Sequence, residues 1–455
     1  MKPSTRLTTF ASINLCIHTG FVQAHLHLPF SRQIRDVSNG LFGRDSNPSL
    51  SLWGGDYAYV VNASVGTPGQ SVSLVISPSL SDTWVPDKSS SYCNHTEYDY
   101  YYNNYNDFDY NVTYSSYCLW GSFDKSASST YQRANSAYRS WTNYYADSTY
   151  VDGYNFTDTL KVGDITLDNL PMGLADSSDQ WIGALGLGSN SSYYGGVYDN
   201  FPDRLLQAGT INTKAYSIWL DAEDGSSGSL LMGAVDTSRY EGTLTRLDAY
   251  GVSSFYNSFG VSVAGINGST SSSATVQTFT SNELPFSASI GHGETFSNLP
   301  DVLVQKIWTM AGASYNRSIY LATIPCDAAT KATDGGARFS FELSGSNGPV
   351  LDVRLADLIL PQNVAAKMWA SESPHGAPLN TCLFAVQNGS RWGYSSSSSS
   401  SYEYYNLGAP LLRRSYMVFD LVNSEVALAP VKFGATAASN VVSFAKYGAT
   451  APSAT

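Results

Sequence analysis

The sequence predicts a mainly β protein of two lobes, and three observations carry that expectation. The chain has 455 residues, 43% of them apolar and only 14% charged. That is enough to bury a large core and too long for one small domain, so two lobes are the natural division. The strong apolar segments are short and alternating, as at Val72, Leu74 and Ile76, a period of two that suits half-buried strands. Gly, Ser and Tyr abound while long amphipathic stretches of 3.6-residue spacing are scarce, which leaves helix in the minority. The formal net charge of -12 argues against nucleic acid and anionic membranes as partners, because a binder of either needs a basic face.

The N-terminus reads as an export signal over residues 1–24. Lys2 and Arg6 precede an apolar stretch from Leu7 to Val22, interrupted by Asn14 and His18, and Val22-Gln23-Ala24 offers small residues for cleavage after Ala24. Removing it discards Cys16 and leaves Cys93, Cys118, Cys326 and Cys382, an even set expected to form two disulfides in an oxidising compartment. Asn-x-Ser/Thr sequons at Asn62, Asn94, Asn111, Asn155, Asn190, Asn267, Asn316 and Asn388 fit a glycosylated surface. No later stretch approaches the roughly 20 apolar residues of a membrane span, and the closing "GATAPSAT" lacks the apolar tail of a lipid-anchor signal. A secreted protein, extracellular or in the cell wall, is expected.

Residues 25–50 read as a polar leader or short prosegment, with Arg32, Arg35 and Arg44 as processing points. His25 and His27 near a new amino terminus have the chemistry to hold copper or zinc. The plainer reading is a solvated chain end, and neither metal nor cofactor is expected. Residues 435–455 read as a flexible Ala/Ser/Thr tail.

From residue 56 the pattern becomes regular: "DYAYVVNASV", the turn "GTPGQ" and "SVSLVI" describe two strands of a hairpin. The run "YVVNASVGTPGQSVSLVISPSLSDTWVP" resembles the opening of a pepsin-like aspartic peptidase of the fungal secreted type. There a catalytic Asp-Thr-Gly turn stands between the second strand and a Ser-Asp-x-Trp-Val-Pro segment. "GSFDKSASSTYQ", the flap-like "YADSTYVDGYNFTDTLKVGD", "WIGALGLG", "LLMGAVDTSRYEGTL", "PFSASIGHGETFSNLP" and "YYNLGAPLLRRSYMVFDLVNSEVALAP" continue the likeness in the family's order. "IPCDA" and "TCLFAV" resemble the disulfide pair of the second lobe. The resemblance implies a bilobal fold of two pseudo-twofold-related β-barrel lobes, residues 51–249 and 250–434, with a central cleft.

It also raises a chemical question. In the family, two carboxylates, one from each lobe, share a proton because like charges about 3 Å apart cannot both ionise, and together they activate a water against the scissile carbonyl. Aligning outward from Trp84 places Ser77, Pro78 and Ser79 at the first turn. Aligning back from Leu299-Pro300 places Gly291 at the second aspartate, followed by His292, Gly293 and Glu294. Neither position supplies an acid, so the resemblance implies a catalytically dead site. Asp82 and Asp236 match family positions outside the pair. His292 and Glu294, displaced by one and three positions on a tight loop, are expected to point elsewhere, and Ser77 as a nucleophile lacks an oriented imidazole.

Tyr145 matches the family's flap tyrosine and is expected either to cover an extended peptide or merely to pack its own hairpin. Between Cys93 and Cys118 lies a Tyr/Asn/Asp-rich insertion, with related clusters at 190–200 and 395–406. Tyrosine among Ser, Gly and Asn makes adaptable contact surface, and a solvated glycosylated loop is the plainer alternative. Three functions therefore compete for a chain expected to be a monomer. They are an inactive homologue binding peptide or protein in its cleft, a cell-wall or glycan-associated protein using its Tyr-rich loops, and an active endopeptidase with an atypical site.

Overall fold

The computed structural model describes residues 24–34, 57–94, 118–134, 140–145, 150–178, 180, 182–189, 198–250, 259–291, 294–344, 348–361, 380–389 and 405–454, except 119, 436 and 437. Residues 1–23 of the segment read as an export signal, Arg35 and Arg44, Asn111 and Asn190, His292, and the Tyr-rich insertion lie outside them.

Alternation of apolar and polar residues becomes strand, as expected. Gln70–Ser77 buries Val72, Leu74 and Ile76 on one face. It pairs antiparallel with Tyr57–Val65 in the register Val61↔Leu74 across the Gly-Thr-Pro-Gly turn. This hairpin belongs to a 14-stranded sheet that begins at Thr245–Asp248 and continues through the C-terminal strands Glu425–Pro430 and Ser415–Asp420. The sheet then crosses Ala215–Leu220 and Ser227–Met232 into the first lobe. The strand Ala215–Leu220 is buried throughout and pairs with Ser415–Asp420, so the chain's middle and its end are stitched together between the lobes. A second sheet of six strands, with Gly260–Ser269 and Phe286–Gly291 at its centre, forms the other lobe. Its inward side chains, among them Val261, Val263, Phe339 and Phe341, join the main core, which supplies the apolar burial that drives folding.

Both disulfides form, Cys93 to Cys118 and Cys326 to Cys382. The first closes the base of the Tyr-rich insertion, constraining the unfolded chain by about 3 kcal/mol on the chain-entropy argument. Among the sequons, Asn62 is exposed on its strand and accepts a hydrogen bond from Ser73 Oγ at 3.0 Å. Asn155, Asn267, Asn316 and Asn388 are half-buried. The amide nitrogen of Asn267, the atom a glycan would take, donates to Glu342 at 2.8 Å. Asn94 lies in the turn of helix Ser91–Asn94.

Two chain ends differ from the sequence expectation. Leu26–Ile34, within the stretch read as a leader, is a strand between Ser227–Met232 and Tyr57–Val65, and it buries Leu26, Leu28 and Phe30. Alternation over "LHLPF" is the signal for it, overlooked because the segment is polar in sum. His27 stacks on Trp219 with centroids 6.2 Å apart, and His25 Nδ1 lies 3.3 Å from Ser443 Oγ. No cluster of three metal-ligating side chains occurs among the described residues.

The residues read as a flexible tail are also built in. Val441–Ser443 pairs with Ala234–Asp236, Phe444 is fully buried, and Ala451 is buried. The carboxylate of Asp236 is the clasp: Oδ2 accepts from Ser439 Oγ at 2.6 Å, and Oδ1 from the amide of Asn440 at 3.0 Å and Ser238 Oγ at 2.7 Å. Burial pushes this carboxyl up, yet the hydroxyls and amides aimed at it more than compensate, and it ionises below the ordinary aspartate range. A depressed pKa means that the stabilisation is present at neutral pH and fades as pH falls below about 4 toward the folded-state value. Asp236→Asn is expected to lower the unfolding free energy by about 1–3 kcal/mol at neutral pH. Urea titrations at pH 7 and at about pH 2 should show the difference shrinking with acid. An equal difference at both would mean that the clasp does not depend on the charge.

Candidate functional site

The two lobes present the same backbone device at their facing ends. In the first, Gln70–Ser77 runs parallel to Gly183–Gly186, with Ile76 opposite Leu185 and Ser77 opposite Gly186. In the second, Phe286–Gly291 runs parallel to Asn406–Gly408, with Ile290 opposite Leu407 and Gly291 opposite Gly408. Each strand end thus abuts a Leu-Gly pair. A further short parallel pair follows on each side, Trp84–Pro86 against Gly173–Ala175 and Ser297–Leu299 against Val386–Asn388. Ser77 and Gly291 thus end matching parallel strand pairs in the two lobes.

Glycine is required where the loops cross. A Cβ on Gly186 would meet the carbonyl of Ser81 and the backbone of Asp82 at 2.6 Å, and one on Gly408 would meet the carbonyl of Phe296 at 2.4 Å. Hydroxyls tie the same glycines down: the amide of Gly186 donates to Thr83 Oγ1 at 3.2 Å and that of Gly408 to Ser297 Oγ at 2.8 Å. These hydroxyls satisfy backbone donors that burial would otherwise leave costly.

Ser77 is buried, and its hydroxyl lies 3.3 Å from that of Ser79. Both line a pocket in the cleft, walled by Ala58, Val75, Leu80, Ile182 and Ala184 and bounded by Gln180, Tyr145 and Glu294. Ser140–Tyr144 pairs antiparallel with Tyr150–Val162. Tyr145, which follows the first of these strands, accepts a hydrogen bond from Trp84 Nε1 at 3.1 Å. It lines the pocket and is thus tied to a strand outside its own hairpin. Asp82 stands aside, taking 3.0 Å from Trp141 Nε1. Burial pushes its carboxyl above the ordinary range, and the Trp141 bond opposes that. Asp236 holds the tail.

Glu294 overturns one expectation. Glu294 lines the pocket together with Ser77 and is the one acid among its described lining residues. A Cβ added to Gly291 would lie 2.5 Å from Glu294 Cδ and 2.6 Å from Oε2. The absence of a side chain at 291 gives that carboxyl its space. Asn406, fully buried, donates from Nδ2 to Glu294 Oε2 and to the carbonyl of Phe296 at 2.7 Å, while its Oδ1 accepts from the amide and side chain of Asn298, each at 2.8 Å. Sequence reasoning missed Asn406 and Asn298. The available signal was polar residues in "FSNLP" and "YYNLG", segments otherwise apolar.

Adding a methyl group at either crossing glycine should overpack it. Gly186→Ala and Gly408→Ala are each expected to cost about 1–3 kcal/mol. Denaturant unfolding measures this, and wild-type stability in both would contradict the close approach.

Residues 58–431 match the sequence model of the family described as eukaryotic aspartyl protease. The chain is 28% identical over 399 residues to the probable aspartic-type endopeptidase opsB of Aspergillus fumigatus, covering 86% of this chain and 72% of that one. To aspartic proteinase yapsin-3 of Saccharomyces cerevisiae it is 28% identical over 432 residues, covering 90% and 73%. The crystal structure of the aspartic proteinase from Irpex lacteus superposes with a TM-score of 0.57 at 20% identity, covering 91% of this chain and all of that one, a likeness of fold. Since the family match spans both strand ends and most of the sheet between the lobes, the chain belongs to the eukaryotic aspartyl protease family.

Proposed function

We propose that this protein is a secreted aspartic-peptidase homologue that binds an extended peptide or protein segment in its interlobe cleft without hydrolysing it. The observation that carries the reading is the pairing of Ser77 with Gly186 and of Gly291 with Gly408, two equivalent strand ends at which the family would place its acids. A hydroxyl and a hydrogen atom stand there instead. Hydrolysis by the family's route needs one group to remove a proton from water while a second protonates the carbonyl oxygen, and a serine hydroxyl does neither in the working pH range.

Binding asks less of the site. The pocket offers apolar walls at Ala58, Val75, Leu80, Ile182 and Ala184 with a few polar groups to fix orientation, the usual composition of a ligand site. Tyr145, held by Trp84, supports covering of a bound segment. An extended peptide would add main-chain hydrogen bonds along the cleft edges. Export and glycosylation belong to the same reading, supported by the two disulfides and exposed Asn62.

Equilibrium binding to a library of extended apolar peptides, with mass spectrometry to confirm that each is recovered intact, tests this reading. Binding is expected for some, and Tyr145→Ala should weaken it about tenfold, the loss of roughly 1.4 kcal/mol of aromatic cover. Absence of binding by every peptide, or affinity indifferent to Tyr145→Ala, would remove the support for a working cleft.

A further inference from the structure

We propose that Glu294 supplies the acid of the second lobe: its carboxyl fills the space that a side chain at 291 would take, so one half of a carboxylate pair survives in the cleft. The inference rests on the reading of Ser77 and Gly291 as the acid positions, and three observations carry it further. The first is proximity, 2.5 Å from the Cβ that Gly291 lacks to Glu294 Cδ. Next is direction, since Glu294 lines the same pocket as Ser77 and Ser79 from the opposite lobe. Last is support. Asn406 Nδ2 donates to the carboxyl, and Asn406 is itself fixed by Asn298 and the carbonyl of Phe296, so the acid is oriented by a buried amide pair. Oriented support of this kind is what separates a positioned acid from a side chain that visits a cleft.

The glycine and the glutamate belong together on this account. Leu80, three residues beyond Ser77, and Glu294, three beyond Gly291, hold matching places in the two loops, and both line the pocket. The amide of Gly188 donates to the carbonyl of Leu80 at 2.7 Å, and that of Ala409 to the carbonyl of Glu294 at 2.8 Å. On this proposal the second lobe draws its acid from three residues beyond the strand end, where the first lobe has Leu80.

Two consequences follow for chemistry. In the native protein the carboxyl is an acceptor at the cleft floor, suited to a ligand's hydroxyl or amide N–H. In Ser77→Asp a pair would be present again. One carboxylate would take a proton from water as the water oxygen bonds to the peptide carbonyl carbon, and the other, protonated, would give its proton to the carbonyl oxygen. Collapse of the resulting diol breaks the C–N bond, the nitrogen receiving a proton and a diol hydroxyl returning one, so a single water is consumed and the pair ends as it began.

The test uses the full mature chain. Ser77→Asp is expected to gain acid-pH cleavage of a fluorogenic peptide with a bell-shaped pH profile, and Ser77→Asp with Glu294→Gln to lose at least 100-fold of it. A folded Ser77→Asp without activity overturns the proposal. Activity then appearing in Ser77→Asp, Gly291→Asp, Glu294→Ala would leave the reading of positions 77 and 291 intact, and inertness of that variant would count against both.

Should Ser77→Asp fail to fold, the native protein carries the test. A peptide inhibitor with a central secondary hydroxyl and its deoxy analogue are titrated against the parent and Glu294→Gln. The parent should favour the hydroxyl form at least tenfold and Glu294→Gln should not. Equal preference in both proteins overturns the role of Glu294, and failure of both inhibitors to bind overturns the cleft reading with it.

Discussion

The contact of Ser77 with Gly186, and of Gly291 with Gly408, sets the geometry on which the cleft depends. A parallel strand pair ends at each position, and the absent Cβ of the glycine lets a crossing loop lie directly on it. Apolar residues just before each end, Ile76 and Leu185 in one lobe and Ile290 and Leu407 in the other, are almost fully buried. Both strand ends are therefore anchored in the core while their last residues face the cleft. This arrangement is indifferent to what side chain stands at the ends themselves, because main-chain bonds and glycine clearance do the holding.

On the proposed reading of positions 77 and 291, that indifference lets the fold do without carboxylates there, since two buried carboxylates are expensive to desolvate. Elsewhere two buried acids are well served by donors. Asp236 collects hydroxyls and amides, and Asp87 receives Lys125 Nζ at 2.6 Å and the hydroxyl of Tyr154 at 2.9 Å. Burial raises Asp87, but these donors win and hold it below the ordinary range. Asp357 joins Arg414 Nε at 2.7 Å near the lobes' junction. Charge is thus spent on structure, and Glu294 is the one acid among the described residues that line the pocket.

Much of this was legible in the sequence, for physical reasons that differ by element. The hairpin around "GTPGQ", the Leu-Gly segments and the pairing of the cysteines follow from alternation, turn residues and ordered motifs, signals that are local and strong. Ser77 and Gly291, counted from Trp84 and Leu299 in the sequence, both stand at the ends of parallel strand pairs. Three features were not legible. The edge residues of "LHLPF" and "VVSFA" become ordered through partners roughly 200 residues away along the chain, at Ser227–Met232 and Ala234–Asp236, which no window of sequence contains. Glu294 was expected to point away because rotamer direction depends on the space around it, and that space is made by the missing side chain of Gly291 together with Asn406.

The claim that most of this account stands on is that the native cleft holds too few acids to cut a peptide. Turnover of homogeneous protein on an unfolded protein substrate between about pH 3 and pH 6, where the family's acid pairs work, tests it most directly. No cleavage above the buffer blank is the result expected. Steady cleavage that disappears with Glu294→Gln would mean that one carboxyl and a serine suffice, and would contradict the account.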